Sequence, residues 1–170
     1  KKKKNRFTIL WWYTTDEIQQ ILVKSASDLI SLESPNYQFV AARLLLFSLR
    51  KQVIGKLWDH PKLYAHTEKG IKLGVYDENI LKWYSKAEFD RMEGWIDHNR
   101  DYDFTYAGLR QVIDKYLVQD RSNGMVFETP QMMYMLIAAT IFKNYKNGKR
   151  MTYVKKYYDA ISKFKINIPT

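Results

Sequence analysis

Apolar residues recur every three to four positions along most of this chain, which predicts a mainly helical protein. The first helix is expected to begin at Thr14, because Thr14 and Glu17 have the spacing of a capping box. Six apolar residues on one side of that helix are predicted to be buried: Ile18, Ile21, Leu22, Ala26, Leu29 and Ile30. A second helix is predicted to begin at Ser34 and Pro35 and to end at Gly55.

Shorter helical patterns continue this organisation. They run from Pro61 to Leu73, from Glu78 to Tyr84, from Ala87 to Ile96 and from about Tyr106 to Lys115. Gly74 is expected to close the first of them. Ser85 and Glu88 form a second capping-box pattern, which is expected to open the third.

A single small β-hairpin is predicted near residue 124. Two β-prone runs, Tyr116 to Gln119 and Met125 to Phe127, flank a four-residue connection that ends in Asn123-Gly124. An Asn-Gly pair between such runs is a strong hairpin signal, because both residues tolerate a left-handed backbone. The predicted fold class is therefore mainly α with one hairpin.

Two further helices complete the pattern. Thr129 and Pro130 are expected to cap a helix that is apolar nearly all round and is therefore predicted to be buried. The last helix, from about Met151 to Ser162, is predicted to place these side chains inward: Tyr153, Val154, Tyr157, Ala160 and Ile161. Ile166 to Ile168 is then expected to form a short strand.

Composition narrows the possible functions. The 170 residues contain no cysteine, which excludes disulfides and thiol chemistry within this sequence. The three histidines, His60, His66 and His98, lack the spacing of a metal site, and no Gly-rich phosphate-binding motif is present. No apolar run reaches about 18 residues, so no membrane-spanning helix is predicted.

The positive charge is concentrated at one end of the chain. The formal net charge is +10, and Lys1 to Lys4 with Arg6 contribute half of it. A basic run of this kind is typical of a tail, so residues 1–13 are interpreted as a basic N-terminal segment that is expected to be disordered. A basic helical domain that binds nucleic acid is the third possible function, behind the two given below.

Five segments, in order along the chain, resemble the N-terminal helical region of the large subunit of class I ribonucleotide reductase. They are the helix Thr14 to Ile30, the run Pro35 to Arg43, Asp97 to Asp101, the hairpin with Glu128 to Gln131, and Tyr158 to Ser162 leading to Thr170. By this resemblance residues 14–55 are similar to the second half of the family's regulatory ATP-cone. Residues 56–170 are similar to the helical domain that follows the cone.

The resemblance implies half of a site for ATP as activator and dATP as inhibitor. Thr15 matches the family's nucleotide-contacting threonine, and Lys51 matches a lysine suited to a phosphate. Gln19 stands where the family has a histidine, and Phe47 matches an aromatic position beside the base. Residues 1–13 do not reproduce the hairpin that opens the family's cone. Weak or absent nucleotide binding is therefore expected for this chain alone.

The resemblance also implies chemistry that lies beyond these residues. Thr170 matches a threonine that contacts the substrate diphosphate where the family's ten-stranded α/β barrel begins. That barrel carries the catalytic cysteines, and a small subunit with a di-metal centre supplies the radical. No catalytic residue, metal ligand or bound cofactor is therefore expected on this chain, nor any reduction of ribonucleoside diphosphates by the chain alone.

The expected role is thus that of a scaffold and partial regulatory site in a cytoplasmic reductase. Its implied partners are the barrel portion of the large subunit and the small subunit. The alternative is a stand-alone interaction or regulatory module derived from the same region. The helix Gln131 to Lys143 and the strand Ile166 to Ile168 are the expected contact edges, because a domain that packs on a partner exposes apolar surface when alone.

Overall fold

The computed structural model describes residues 13–55, 59–145 and 148–166. The α-helices formed by these residues are α1 (Thr15–Asp28), α2 (Tyr37–Ile54), α3 (Leu63–Lys72), α4 (Ile80–Trp83), α5 (Lys86–Glu93), α6 (Tyr106–Lys115), α7 (Pro130–Phe142) and α8 (Arg150–Ser162). A 3₁₀ helix, His98–Asp103, lies between α5 and α6 and was not predicted. The mainly helical class is confirmed.

The predicted hairpin is present, with strands of only two residues each. β1 (Gln119–Asp120) pairs antiparallel with β2 (Met125–Val126), and Gln119 lies opposite Val126. Gly124, in the four-residue connection, has a φ of 73°, a left-handed conformation that glycine adopts without steric cost. The hairpin is confirmed.

Both predicted capping boxes are present. The side chain of Thr14 accepts from Glu17 N–H while the Glu17 side chain accepts from Thr14 N–H, and Ser85 and Glu88 do the same at α5. Each box satisfies backbone N–H groups that the first helical turn leaves without a partner.

The N-terminal caps predicted for α2 and α7 need correction. α2 begins at Tyr37 rather than at Ser34 and Pro35, which lie in a turn where Tyr37 N–H donates to Ser34 O. α7 begins at Pro130 as expected, but the side chain of Thr129 does not cap it. The Thr129 hydroxyl is buried and has no hydrogen-bond partner among the described residues.

The core is centred on α7, which packs against α8. Buried residues cover all sides of α7: Pro130, Gln131, Met132, Met133, Tyr134, Met135, Leu136, Ala138 and Ala139. The prediction that this helix is buried is confirmed over Pro130 to Ala139, whereas Thr140 and Ile141 near its C-terminal end are exposed, and its role as a contact edge stays a prediction. In α8 the fully buried aromatic residue is Tyr158, which the predicted inward set omits, whereas Tyr153 and Tyr157 are only half-buried.

The predicted burial of the first helix is largely wrong. Of the six residues expected inside, Ala26 is buried, whereas the others are 39–52% exposed: Ile18, Ile21, Leu22, Leu29 and Ile30. α1 packs mainly against α2 and buries only Val23 and Ala26. Among the described elements α2 is its one main neighbour, and a helix packed in this way buries only a narrow stripe, so the rest of its apolar side is exposed. We call Ile18, Ile21, Leu22 and Leu29 the outer face of α1.

The remaining predictions fall wholly or mostly outside the described residues. They are the basic segment, residues 1–12 of which are not described, the strand from Ile166 to Ile168, and Thr170. None of the described helices combines the length and the apolarity needed to cross a bilayer.

Candidate functional site

The structure brings Thr15 and Lys51 together where the start of α1 meets the last turn of α2. Lys51 Nζ donates to Thr15 Oγ1 at 3.2 Å and to Asp16 Oδ1 at 2.8 Å. Because Thr14 is the residue that caps α1, the Thr15 hydroxyl remains available for this contact. Two of the four predicted effector-site residues therefore share one location.

This cluster is open to solvent. The Lys51 side chain is 45% exposed and the Asp16 side chain is 79% exposed. An ion pair in such a position contributes little to stability, because water competes for both partners. An incoming anion could therefore replace Asp16 as the partner of Lys51 at small cost.

Gln19 and Phe47 take different roles in the same region. Gln19 Nε2 donates to Leu44 O at 2.7 Å, which ties α1 to α2 one turn below Thr15. Phe47 lies one turn before Lys51 on the same side of α2, and it is 40% exposed. Gln19 thus acts within the helix pair, and Phe47 presents an aromatic ring to solvent.

A cleft of about 540 Å³ adjoins Lys51 on the side of the hairpin and α6. Its charged lining residues are Asp16, Lys51, Arg110 and Asp114. These form two ion pairs, Lys51–Asp16 at 2.8 Å and Arg110–Asp114 at 3.0 Å. Neither Thr15 nor Phe47 lines the cleft, which therefore shares only Lys51 with the predicted half-site.

Arg50, the neighbour of Lys51, lies on the opposite side of α2 and is 3% exposed. Its guanidinium donates to three acceptors in the 3₁₀ helix: His98 O at 2.6 Å, Tyr102 Oη at 3.1 Å and Asp101 Oδ2 at 3.2 Å. The end of α2 is therefore anchored to the 3₁₀ helix by a buried ion pair.

The anchor continues into α7 and α8. Gln131 Nε2 donates to Asp101 Oδ1 at 2.9 Å, and Tyr158 Oη donates to Gln131 Oε1 at 2.9 Å. The same hydroxyl accepts from Asp97 N–H at 2.9 Å. Burial raises the pKa of Asp101 to about 6, even though hydrogen bonds from Gln131 and Arg50 favour its charged form. We call this set of connected residues the buried network: Arg50, Asp97, Asp101, Gln131 and Tyr158.

Two histidines lie beside the network without forming a metal site. The rings of His60 and His98 stack with their centres 3.5 Å apart. Burial lowers their pKa to about 4 and about 3, with further contributions from nearby positive charge. Within the described ranges, no group of three or more His, Asp or Glu side chains could hold a metal ion.

Comparison with known proteins identifies the family. A family model described as "Ribonucleotide reductase, all-alpha domain" matches residues 102–170. Ribonucleoside-diphosphate reductase subunit alpha of Buchnera aphidicola subsp. Acyrthosiphon pisum is 48% identical over 157 residues, and ribonucleoside-diphosphate reductase 1 subunit alpha of Escherichia coli K12 is 46% identical over 156 residues. Both alignments cover 92% of this chain. The chain belongs to the ribonucleotide reductase large-subunit family.

Within this family the chain corresponds to the N-terminal region of the large subunit. It spans about a fifth of the length of the curated relatives that it matches, 20% for both relatives above. Subunit alpha of Enterobacteria phage T4 is a more distant relative, 40% identical over 92% of this chain. The family model covers Gln131 and Tyr158 of the buried network, and the half-site lies ahead of its first matched residue.

Sequence reasoning missed Arg50, although one signal for it was present. Ala42, Leu46 and Arg50 are spaced four residues apart, and the first two are buried. A charged residue on such a stripe must find a buried partner of opposite charge. The spacing indicates that Arg50 is paired, but it does not identify Asp101, which lies 51 residues away.

Proposed function

We propose that this region of the large subunit serves an oxidoreductase that reduces ribonucleoside diphosphates to deoxyribonucleotides for DNA replication. The observation that carries the proposal is the 46–48% identity to ribonucleoside-diphosphate reductase alpha subunits over 92% of the chain. These 170 residues contain no cysteine, so the thiol chemistry of the reaction belongs to other residues of the enzyme. A cytoplasmic location is part of the same proposal.

The first role of the region is to hold its two parts in one orientation. Arg50 connects the helix pair α1–α2 to the 3₁₀ helix, and Gln131 and Tyr158 extend the connection to α7 and α8. Buried hydrogen bonds of this kind fix a single geometry, because each unmade bond leaves a polar group without water. A regulatory helix pair attached in this way moves together with the core.

The second role is to supply half of an allosteric site of the ATP-cone type. ATP or dATP would place a phosphate at Lys51 and displace Asp16, and Thr15 would add a hydroxyl at the start of α1. Phe47 would contact the base. Gln19 acts indirectly by holding α1 against α2 at Leu44. The site is half complete, so tight nucleotide binding requires additional residues.

The outer face of α1 is an argument for a contact with another part of the same enzyme. Its apolar side chains are exposed, and clustered apolar surface usually marks an interface. We assign this face to the rest of the large subunit, whose barrel carries the substrate site that Thr170 would border. The small subunit with its di-metal centre is the second partner.

A chimera tests these roles. Residues 14–166 of this chain would replace the matching region of the Escherichia coli subunit alpha, and the product would be assayed with the small subunit for reduction of a ribonucleoside diphosphate. We expect reduction to be retained and to be inhibited by dATP. Thr15→Ala and Lys51→Ala should each weaken that inhibition and leave reduction without effector unchanged.

The outcomes separate the two roles. A folded chimera that does not reduce substrate contradicts the scaffold role. A chimera that reduces substrate but whose dATP inhibition is insensitive to both substitutions contradicts the half-site. Lys24→Ala, an exposed lysine on the same helix pair, is the matched control and should leave inhibition unchanged.

A further inference from the structure

A second polar cleft, with a volume of about 690 Å³, lies where α7 connects to α8. It is lined by Glu88, Arg91, Lys143, Asn144, Tyr145, Gly148, Arg150 and Met151. None of these residues belongs to the half-site, the buried network or the outer face of α1. The function proposed above does not use the cleft.

The single carboxylate in this lining, that of Glu88, already has a hydrogen-bond partner at each of its oxygens. Glu88 Oε1 pairs with Arg150 Nη2 at 2.5 Å. Its other oxygen, Oε2, accepts from Ser85 N–H at 2.8 Å and from Ser85 Oγ at 3.1 Å in the capping box of α5. Glu88 therefore neutralises Arg150, and both of its oxygens already accept hydrogen bonds.

The other two cations of the lining, Arg91 and Lys143, have no ion-pair partner within 4.0 Å among the described residues. Each lies over an aromatic ring instead. Lys143 Nζ is 3.9 Å from the ring centre of Trp83, and the Arg91 guanidinium is 5.8 Å from that of Trp95. A ring positions a cation without consuming its hydrogen-bond donors, so both remain able to bind an anion.

Arg150, which lines the same cleft, is held in place by its neighbours. Its guanidinium stacks 4.2 Å from the ring centre of Tyr84 and donates to Trp83 O at 3.0 Å. Three cations and one carboxylate give the lining a net charge of +2, and Asp77, which is outside the lining, acts on Lys143 only through a Coulomb attraction beyond 4.0 Å. Tyr145, which is 52% exposed, adds an aromatic surface at the same cleft.

We propose that this cleft binds a small phosphate-bearing anion, which Arg91 and Lys143 contact and which Arg150 helps to orient. The net charge of +2 in the lining suits a phosphate or diphosphate group, and guanidinium and ammonium groups are its usual partners. The volume suits a small molecule rather than a macromolecule. Tyr145 offers a ring for a base, so a free diphosphate and a nucleoside diphosphate are the two sources to separate.

Titration of the full 170-residue chain at moderate salt tests the proposal, with tryptophan fluorescence and calorimetry as readouts. The probes are ADP, inorganic pyrophosphate and adenosine. We expect ADP or pyrophosphate to bind with a Kd below about 1 mM, and adenosine not to bind. ADP binding much tighter than pyrophosphate identifies a nucleotide as the source, and equal binding identifies the diphosphate alone.

Variants locate the binding. Lys143→Gln and Arg91→Gln should each weaken it about tenfold, since each removes one charge-assisted hydrogen bond. Lys24→Gln makes the same charge change on α1 and should leave affinity unchanged, and Lys51→Gln, which disables the half-site, should retain binding that depends on Lys143 and Arg91. The proposal is overturned if no probe with phosphate binds, if Lys143→Gln and Arg91→Gln bind like the original chain, or if Lys24→Gln weakens binding equally. It is also overturned if Lys51→Gln alone abolishes binding, because the ligand then occupies the half-site.

Discussion

Arg50 and Lys51 are consecutive residues of α2, yet they belong to two different regions. Arg50 is 3% exposed and holds three acceptors in the 3₁₀ helix, whereas the Lys51 side chain is 45% exposed and pairs with the still more exposed Asp16. Water can replace a partner of Lys51, but Arg50 and its counter-ion Asp101 are both buried away from it. One helix therefore carries a fixed anchor on one side and an exchangeable contact on the other.

The largest expected difference between the two regions comes from Arg50→Met and Lys51→Met. Arg50→Met leaves the Asp101 carboxylate buried without its counter-ion and should lower the free energy of unfolding by about 3–5 kcal/mol. Lys51→Met should change it by less than about 1 kcal/mol. Urea unfolding followed by circular dichroism measures both. Equal losses would remove the distinction between anchor and exchangeable contact.

The next contrast uses neighbouring tyrosines of α8. Tyr158→Phe removes the hydroxyl that joins Asp97 N–H to Gln131 and should cost about 2 kcal/mol, because two buried polar groups lose a partner. Tyr157 is half-buried, so Tyr157→Phe should cost less than about 0.5 kcal/mol. Thermal and urea unfolding provide the comparison, and a Tyr158→Phe variant as stable as Tyr157→Phe would show that the network contributes little.

Acid should lower the stability of the folded chain through His66, which is buried. Burial, and to a lesser extent Lys69, lower the pKa of His66 from 6.5 to about 4, and its Nε2 lies 3.1 Å from Tyr76 Oη. As the pH falls, the unfolded chain therefore takes up a proton at His66 before the folded chain does. The stability contributed by neutral His66 is complete above pH 6.5. That contribution is lost as the pH falls from 6.5 towards 4.

The matching variant is His66→Gln. Between pH 7 and pH 5 the original chain should lose about 1.5 kcal/mol more stability than this variant. Urea unfolding of both proteins at the two pH values measures the difference. Parallel pH profiles would mean that His66 titrates normally in the folded protein.

The smallest effect sharpens the description of the half-site. Thr14→Ala removes the α1 capping box and should cost about 1 kcal/mol. Thr15→Ala should cost only a few tenths of a kcal/mol, since its hydroxyl contacts only the exposed Lys51. If thermal unfolding shows the reverse order, Thr15 is the structural cap and its proposed ligand role loses its basis.

Local sequence signals predicted the local structure well. The capping boxes at Thr14 and Ser85, the end of α2 at Gly55 and the left-handed Gly124 depend on residues within a few positions of one another. Such contacts form in the same way wherever the segment lies. The exceptions are the start of α2, because Ser34 and Pro35 suit a turn as well as a helix start, and Thr129, whose side chain does not cap α7.

The half-site was predictable only in part. The resemblance pointed to Thr15 and Lys51, and the structure places them in contact. Gln19 makes a hydrogen bond between helices that no spacing indicates, because its acceptor is a backbone carbonyl of α2, Leu44 O. Periodicity also cannot tell how many neighbours a helix has. For that reason the outer face of α1 was predicted to be buried.

The sequence by itself therefore determined the helical class, most helix ends, the hairpin and the family, since these follow from short-range chemistry or from direct similarity. Only the tertiary structure decided that Arg50 pairs with Asp101, that Tyr158 rather than Tyr157 enters the core, and that Arg91 and Lys143 share a cleft. These pairings join residues 51 or more positions apart. The Arg50–Asp101 pair and the Tyr158 hydrogen bonds arise because packing excludes water and requires each buried polar group to find a partner.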